Sequence, residues 1–281
     1  MSKIAIITDS TAYIEEQLRK ELNITMLPLN VIFGNESYKE EVEITSEDFY
    51  EKMKVSEQLP TTSQPAIGYF VEAYEQLAKD YDQVICIHLS SQISGTYQTS
   101  LTAATMVEGI EVLAFDSELS CMPQGYYVIE AAKMAQQQKS ADEILARLNE
   151  MKKTMRAYFM ADDLSHLHRG GRLNGAQLVV GSILQIKPIL HFVEGKIVPF
   201  EKVRTEKKAV QRICSLLDED AIGGKAINVV VIHANRPEKA EKYATEIKEK
   251  YSHANVTISH FGPVIGTHLG EGSIGIGWYV I

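Results

Sequence analysis

Val84-Ile85-Cys86-Ile87-His88-Leu89-Ser90-Ser91-Gln92-Ile93-Ser94-Gly95-Thr96-Tyr97-Gln98 is the stretch whose reading decides the fold. It opens on an unbroken apolar run, as expected of a short strand buried on both faces. Residues 99–107 behind it read as a helix. Small or hydroxylic residues (Ser90, Ser91, Ser94, Gly95, Thr96) fall where the strand ends and the helix begins. A helix N-terminus carries unpaired N–H groups and about half a positive charge, so it suits a carboxylate or a phosphate. Ser94 or Ser91 is placed to cap this helix, and the same hydroxyl could donate to a ligand. Ordinary capping explains these residue types as well.

Outward from this stretch, strands and helices alternate. Upstream, residues 3–7 form an apolar strand ending in Asp9-Ser10-Thr11. A helix over 13–22, a strand over 24–33, a turn at Gly34-Asn35 and a helix capped by Thr45 or Ser46 follow. The polar loop Leu59-Pro60-Thr61-Thr62-Ser63-Gln64-Pro65 leads into a helix over 66–79, with Pro65 suited to its first turn. Downstream, a strand over 111–115 ends in Asp116-Ser117, and helices over 122–138 and 141–155 complete the first half. In the second half, strands are expected at 157–161, 183–193, 196–203, 226–233, 256–261 and 275–280, and helices at 205–217 and 237–251. The glycine-rich stretch 262–272 lies between the last two strands.

This alternation predicts an α/β fold of two domains. Residues 1–154 would form an N-terminal, doubly wound, mainly parallel sheet with flanking helices. Residues 155–281 would form a smaller C-terminal α/β domain. Ligands of such sheets bind beyond the carboxyl ends of the strands, where three hydroxyl-bearing loops gather here: 9–11, 90–96 and 116–117.

Length and composition narrow the function. The chain has 281 residues, 45% apolar and 23% charged, enough for a large core and about two domains. A net charge of −9 argues against nucleic acid or an anionic membrane as the main partner. Three cysteines without CxxC pairing fit a reducing compartment. The N-terminus runs straight into a strand, and no apolar run approaches the ~18 residues of a membrane span. A cytoplasmic protein with no integral membrane segment is the expectation.

Several motifs fail their context. Gly270-Glu271-Gly272-Ser273-Ile274-Gly275 matches a dinucleotide fingerprint as a string, but a strand rather than a helix should follow it. There is no Walker-type G-x-x-x-x-G-K-[ST] and no G-x-S-x-G elbow around Ser94. His166 and His168, two apart, do not share a helix face, and no metal site is expected. Arg169-Gly170-Gly171-Arg172 is more informative, since guanidinium groups flanking flexible glycines suit a carboxylate, a phosphate or an acidic partner. A solvated charged loop is its plain alternative. Lys202, Arg204, Lys207 and Lys208 add positive charge, and His268 sits among glycines as a candidate functional histidine.

Taken together and in order, these motifs resemble the DegV family over about 3–280. They are Thr8-Asp9-Ser10-Thr11, Thr61-Thr62-Ser63-Gln64-Pro65, the 90–98 stretch, Arg169-Gly170-Gly171-Arg172 and Gly262-Pro263-Val264-Ile265-Gly266-Thr267-His268. The resemblance implies a protein that holds one long-chain fatty acid. It would present the carboxylate to a separate ATP-binding fatty acid kinase subunit, which makes an acyl phosphate for phospholipid synthesis. By that similarity Thr62 and Ser94 would bind the carboxylate, with Thr61, the Gly95 N–H and His268 completing the shell. Arg172 and Arg204, with Arg169, would lie near the head group or on the kinase-docking face. No cofactor and no independent catalysis are implied. The residues leave two rivals: an acyl- or phosphoryl-transfer enzyme using Ser94 and His268, and a binder of a small phosphorylated metabolite.

Overall fold

The computed structural model describes residues 2–173, 187–222 and 224–281. In chain order the first half contains β1 (Ile4–Asp9), α1 (Glu16–Glu21), β2 (Ile24–Leu27), β3 (Asn30–Phe33), β4 (Glu36–Lys39) and α2 (Ser46–Val55). It continues with β5 (Thr61–Ser63), α3 (Ile67–Leu77), β6 (Gln83–His88), α4 (Thr96–Ala104), β7 (Glu111–Asp116), α5 (Cys121–Gln136) and α6 (Ala141–Thr154). The second half has β8 (Arg156–Met160), α7 (Leu164–Arg169), β9 (Lys187–Val193), β10 (Lys196–Val203), α8 (Glu206–Asp220), β11 (Ile227–His233), α9 (Pro237–Lys250), β12 (Ala254–His260), α10 (Pro263–Leu269) and β13 (Ile274–Val280).

The apolar runs Ile4–Asp9 and Gln83–His88 become the central strands of a parallel sheet ordered β2-β1-β6-β7. Phe70 and Tyr74 of α3 and Ala103 of α4 cover one face, against Ile7 and Cys86. Tyr127, Val128 and Ala131 of α5 pack over Ile6, Ile85 and Ile87 on the other. Helices on both faces make the sheet doubly wound, as the alternation predicts.

The expected strand 24–33 is two strands in two sheets. Pro28, which has no N–H for a ladder, sits at the break. β2 stays in the parallel sheet, while β3 turns through Gly34 (φ +58) into an antiparallel sheet ordered β4-β3-β5. The expected loop 59–65 therefore contains a strand. The first helix is shorter than 13–22 because Tyr13 adopts φ +46, which ends the preceding turn. Pro65 precedes the cap residue Ala66 rather than entering the helix, and 262–272 contains α10. Of the expected strand 183–193, residues 183–186 lie outside the described residues.

β8 to β13 form a mixed sheet ordered β10-β9-β8-β13-β11-β12, in which only β11 and β12 run parallel among the described residues. α8 and α9 seal one face through Val210, Ile213, Leu217, Ala240, Ala244 and Ile247. The opposite face turns toward the first half. α6 ends at Thr154 and β8 opens at Arg156, yet one apolar core runs from Ile6 and Tyr127 through Phe159, Val230 and Phe261 to Tyr279. α5 is the shared layer, and its Tyr126 ring lies 5.1 Å from that of Tyr279.

Candidate functional site

Where the carboxyl end of β6 faces the inner side of the mixed sheet, the chain leaves a cavity of about 350 Å³. That is within the ~300–1,000 Å³ range of small-molecule sites. Leu89, Ile93, Phe159, Phe192, Ile232 and Val264 contribute to its largely apolar wall. Polar groups gather at one end: Thr62, Ser63, Gln64, Ser94, Gly95, Arg172 and His268.

Strand register decides which threonine of β5 reaches this end. Thr62 stands opposite the fully buried Val31, so both face inward. Thr61 stands opposite Ile32, is exposed, and is absent from the cavity wall. Of the two adjacent hydroxyls expected in the shell, one reaches the cavity.

Gly95, rather than Ser94 or Ser91, is the cap residue of α4. Ser94 Oγ lies one residue earlier, accepts from the Thr96 N–H at 3.3 Å and sits 2.9 Å from Thr96 Oγ1. Ser91 does not line the cavity, and its backbone N–H donates to the Asp116 carboxylate. A Cβ on Gly95 would collide with the side-chain amide of Gln64, which donates to Thr99 Oγ1. Glycine here lets the 61–65 segment lie directly over the start of α4.

His268 closes the polar end from α10, its Nε2 2.9 Å from Thr62 Oγ1. Burial, then the Arg172 charge and then His166, push its pKa down to about 4, so the imidazole is neutral at physiological pH. With the proton on Nε2, the Thr62 oxygen accepts it and keeps its own O–H for a ligand. Gly170 permits the close approach, since a Cβ there would strike His268 Nδ1. Arg172 lines the cavity, its Nε donating to the Ile93 carbonyl at 3.1 Å and its Nη1 to the Gly170 carbonyl. Arg169 is exposed and folds back on Ser165 of its own helix. Arg204 is exposed just beyond β10, and neither of these two arginines lines the cavity. Ser94 Oγ and His268 have different partners, so no serine–histidine pair forms.

Behind this end lies a second polar layer, wholly buried. Asp9 accepts from the Leu89 N–H (2.9 Å), the Thr11 hydroxyl (2.6 Å) and Gln124 Nε2 (3.1 Å), and sits 3.1 Å from His88 Nδ1. Burial alone would raise its pKa; His88 and the other donors outweigh that and hold the carboxylate below its ordinary value. The strand end 9–11, expected at the ligand edge, is therefore scaffold: none of Asp9, Ser10 or Thr11 lines the cavity. Ser90 likewise reaches away, donating to the Gly195 carbonyl at 2.7 Å and tying the β6 loop to the β9–β10 turn.

Glu40 is a residue that the sequence analysis did not single out. It is fully buried and accepts from Ser10 Oγ (2.5 Å), Tyr13 Oη (2.9 Å) and the Val264 N–H (2.7 Å). Those bonds join the end of β1 to the start of α10, one turn before His268. Burial raises its pKa to about 8 against the pull of these donors.

The string 270–275 runs into β13, not a helix. Among the described residues no group of three or more His, Cys, Asp or Glu side chains is placed to hold a metal, and no helix is long and apolar enough to cross a membrane.

Residues 3–280 match the family profile described as uncharacterised protein, DegV family. A DegV domain-containing protein of Halalkalibacterium halodurans is 60% identical, over 100% of this chain and 99% of its own. Among solved structures, DegV of Bacillus subtilis, described as a fatty acid binding protein, superposes with a TM-score of 0.95 at 53% identity and full coverage of both chains. A DegV family protein from Thermus thermophilus, described for its fatty acid binding, has a TM-score of 0.93 at 29% identity, again over the whole of both chains. The profile match over residues 3–280 and the 60% identity with a relative covered almost in full place this chain in the DegV family.

Proposed function

We propose that the cavity holds one long-chain fatty acid, its carboxylate at the Thr62–Ser94–His268 end. The protein then presents that carboxylate to a separate ATP-binding kinase subunit. The observation that carries the reading is the make-up of the cavity: a largely apolar body and a polar cluster at the start of α4. The solved relatives described as fatty acid binding proteins support it.

Each part of the ligand has a counterpart. Thr62 and Ser94 offer hydroxyl donors, α4 offers the positive end of its dipole, and neutral His268 orients the Thr62 hydroxyl. Every methylene taken into the apolar body contributes about 0.8 kcal/mol, so the tail supplies most of the affinity and the polar end fixes direction. In acyl phosphate formation a carboxylate oxygen attacks the γ-phosphorus of ATP and ADP leaves. This chain contributes the oriented carboxylate, and with no Walker-type loop of its own it relies on the partner for ATP. Arg169 and Arg204, exposed and outside the cavity wall, suit the docking face, whereas Arg172 stays at the head group. Separate partners for Ser94 and His268 weigh against the acyl-transfer rival, and the apolar wall weighs against a small phosphorylated metabolite.

The test is to load purified protein with a radiolabelled fatty acid and add ATP with and without the ATP-binding subunit of a bacterial fatty acid kinase. Acyl phosphate formed only with the subunit supports the reading. Turnover of an acyl ester or acyl phosphate by the protein alone would contradict it.

A further inference from the structure

α10 brings no cap of its own. Gly262, its N-cap residue, has no side chain to accept a bond, and Pro263 in the first turn has no N–H to give. The next two N–H groups find their acceptors in the first half of the chain. Val264 donates to Glu40 Oε1 at 2.7 Å and Ile265 to Tyr13 Oη at 3.4 Å, while Tyr13 Oη itself donates to Glu40 Oε1 at 2.9 Å. Glycine at 262 admits this borrowed cap, since a Cβ there would strike the Tyr13 ring and crowd Glu40 Oε1.

Glu40 also reaches the other side of the polar end. It directly follows β4, and its N–H donates to the Leu29 carbonyl at 2.9 Å. Leu29 leads into β3, whose Val31 stands opposite Thr62 of β5. On α10, Val264 and His268 are four residues apart, share a face and both line the cavity. The backbone of Glu40 is thus tied to the sheet that presents Thr62, and its side chain to the helix that presents His268.

We infer that Glu40 is a positioning residue for the ligand site, fixing α10 against the β4-β3-β5 sheet so that His268 Nε2 meets Thr62 Oγ1. Its effect on ligand retention rests on the lipid reading; its effect on His268 does not. Without Glu40 the Val264 N–H is buried with no acceptor, and the first turn must shift or fray to find one. α10 is only about 10 Å long at ~1.5 Å per residue, so a shift at its start carries through to His268. Tyr50, which donates to the Phe261 carbonyl at 2.7 Å, holds the chain before the helix and supplies neither amide with an acceptor.

Two measurements on the full-length protein test this. Imidazole nitrogen NMR of delipidated protein, with the His268 signals identified by their loss in His268→Asn, should show one neutral tautomer in unmodified protein and in Glu40→Gln, which keeps the Oε1 acceptor. Glu40→Ala should mix the tautomers. Glu40→Asp keeps the charge but draws the carboxylate back by one methylene; it should act in the same direction and covers the case in which the alanine variant fails to fold. Release of a labelled fatty acid should quicken roughly fivefold in Glu40→Ala, the scale of one hydrogen bond, and return to normal in Glu40→Gln. That acceleration should vanish when His268→Asn is already present. Unchanged His268 signals in the folded alanine or aspartate variant, or an equal acceleration with and without His268, would overturn the positioning role. Unmodified protein that neither carries nor accepts a fatty acid would overturn the lipid reading, and the His268 signals would still decide the role of Glu40.

Discussion

Two polar regions lie back to back in this protein, and they use similar residues to opposite ends. In the buried layer, Asp9, Thr11, His88 and Gln124 bond one another, and Glu40 gathers Ser10, Tyr13 and the Val264 N–H. At the cavity, Thr62, Ser94 and His268 border open space, and with the His268 proton on Nε2 Thr62 retains a donor for a ligand. Polarity at a strand end does not mark a site; bonding capacity left over after folding does. The first region uses up its bonding capacity internally and, through Glu40, ties the first half to α10, whereas the second is the end proposed to face a ligand.

Substitution should separate the two. Asp9→Ala strands His88, Gln124 and the Leu89 N–H in a fully buried setting, which should cost about 3–5 kcal/mol by chemical denaturation. Glu40→Ala should cost about 2–4 kcal/mol by the same measurement, because it orphans two hydroxyls and a backbone amide. A loss below about 1 kcal/mol in both would make the buried layer dispensable and break the contrast.

Changes at the cavity should read out the other way. Thr62→Val or Ser94→Ala should leave stability within about 1 kcal/mol but weaken fatty acid retention roughly tenfold, the worth of one hydrogen bond to a charged group. Dissociation kinetics of a labelled fatty acid give the answer. Equal retention in both variants would remove these hydroxyls from the site. Arg169→Ala should be the mildest, with stability and retention changed by less than about 0.5 kcal/mol, because its bonds are local and exposed. Any loss should appear only in phosphorylation with the kinase subunit.

The two regions also respond to pH with opposite signs. His268 has a folded value of about 4 against an ordinary 6.5, so the unfolded chain binds more protons between those values. Stability therefore falls as pH drops through that window, and His268→Asn should flatten this limb. Glu40, raised to about 8 from 4.5, binds its proton more tightly in the folded state. It makes stability fall as pH rises from about 4.5 to 8, a limb that Glu40→Gln should flatten. Unfolding midpoints measured across pH resolve both.

The parallel sheet was legible because its central strands are unbroken apolar runs, and local pattern suffices for those. The path from β2 to β3 was not: Pro28 marks the break, but only the partner strands reveal that the two pieces join different sheets. Thr62 and His268 were legible as candidates through their motifs, whereas the exclusion of Thr61 depends on the β3–β5 register. Glu40 was invisible because a buried acid among exposed acids carries no sequence signal of its burial. The seating of the Phe261 and Pro123 rings on Gly275 and Gly277 arises entirely from tertiary contact.

The central claim is that the leftover polar end and the apolar body together hold one fatty acid. Native mass spectrometry of the purified protein, followed by organic extraction, tests it most directly. The account predicts one fatty acid per chain, lost more readily from Thr62→Val and Ser94→Ala than from the unmodified protein. A protein that emerges empty and takes up no added fatty acid would contradict it.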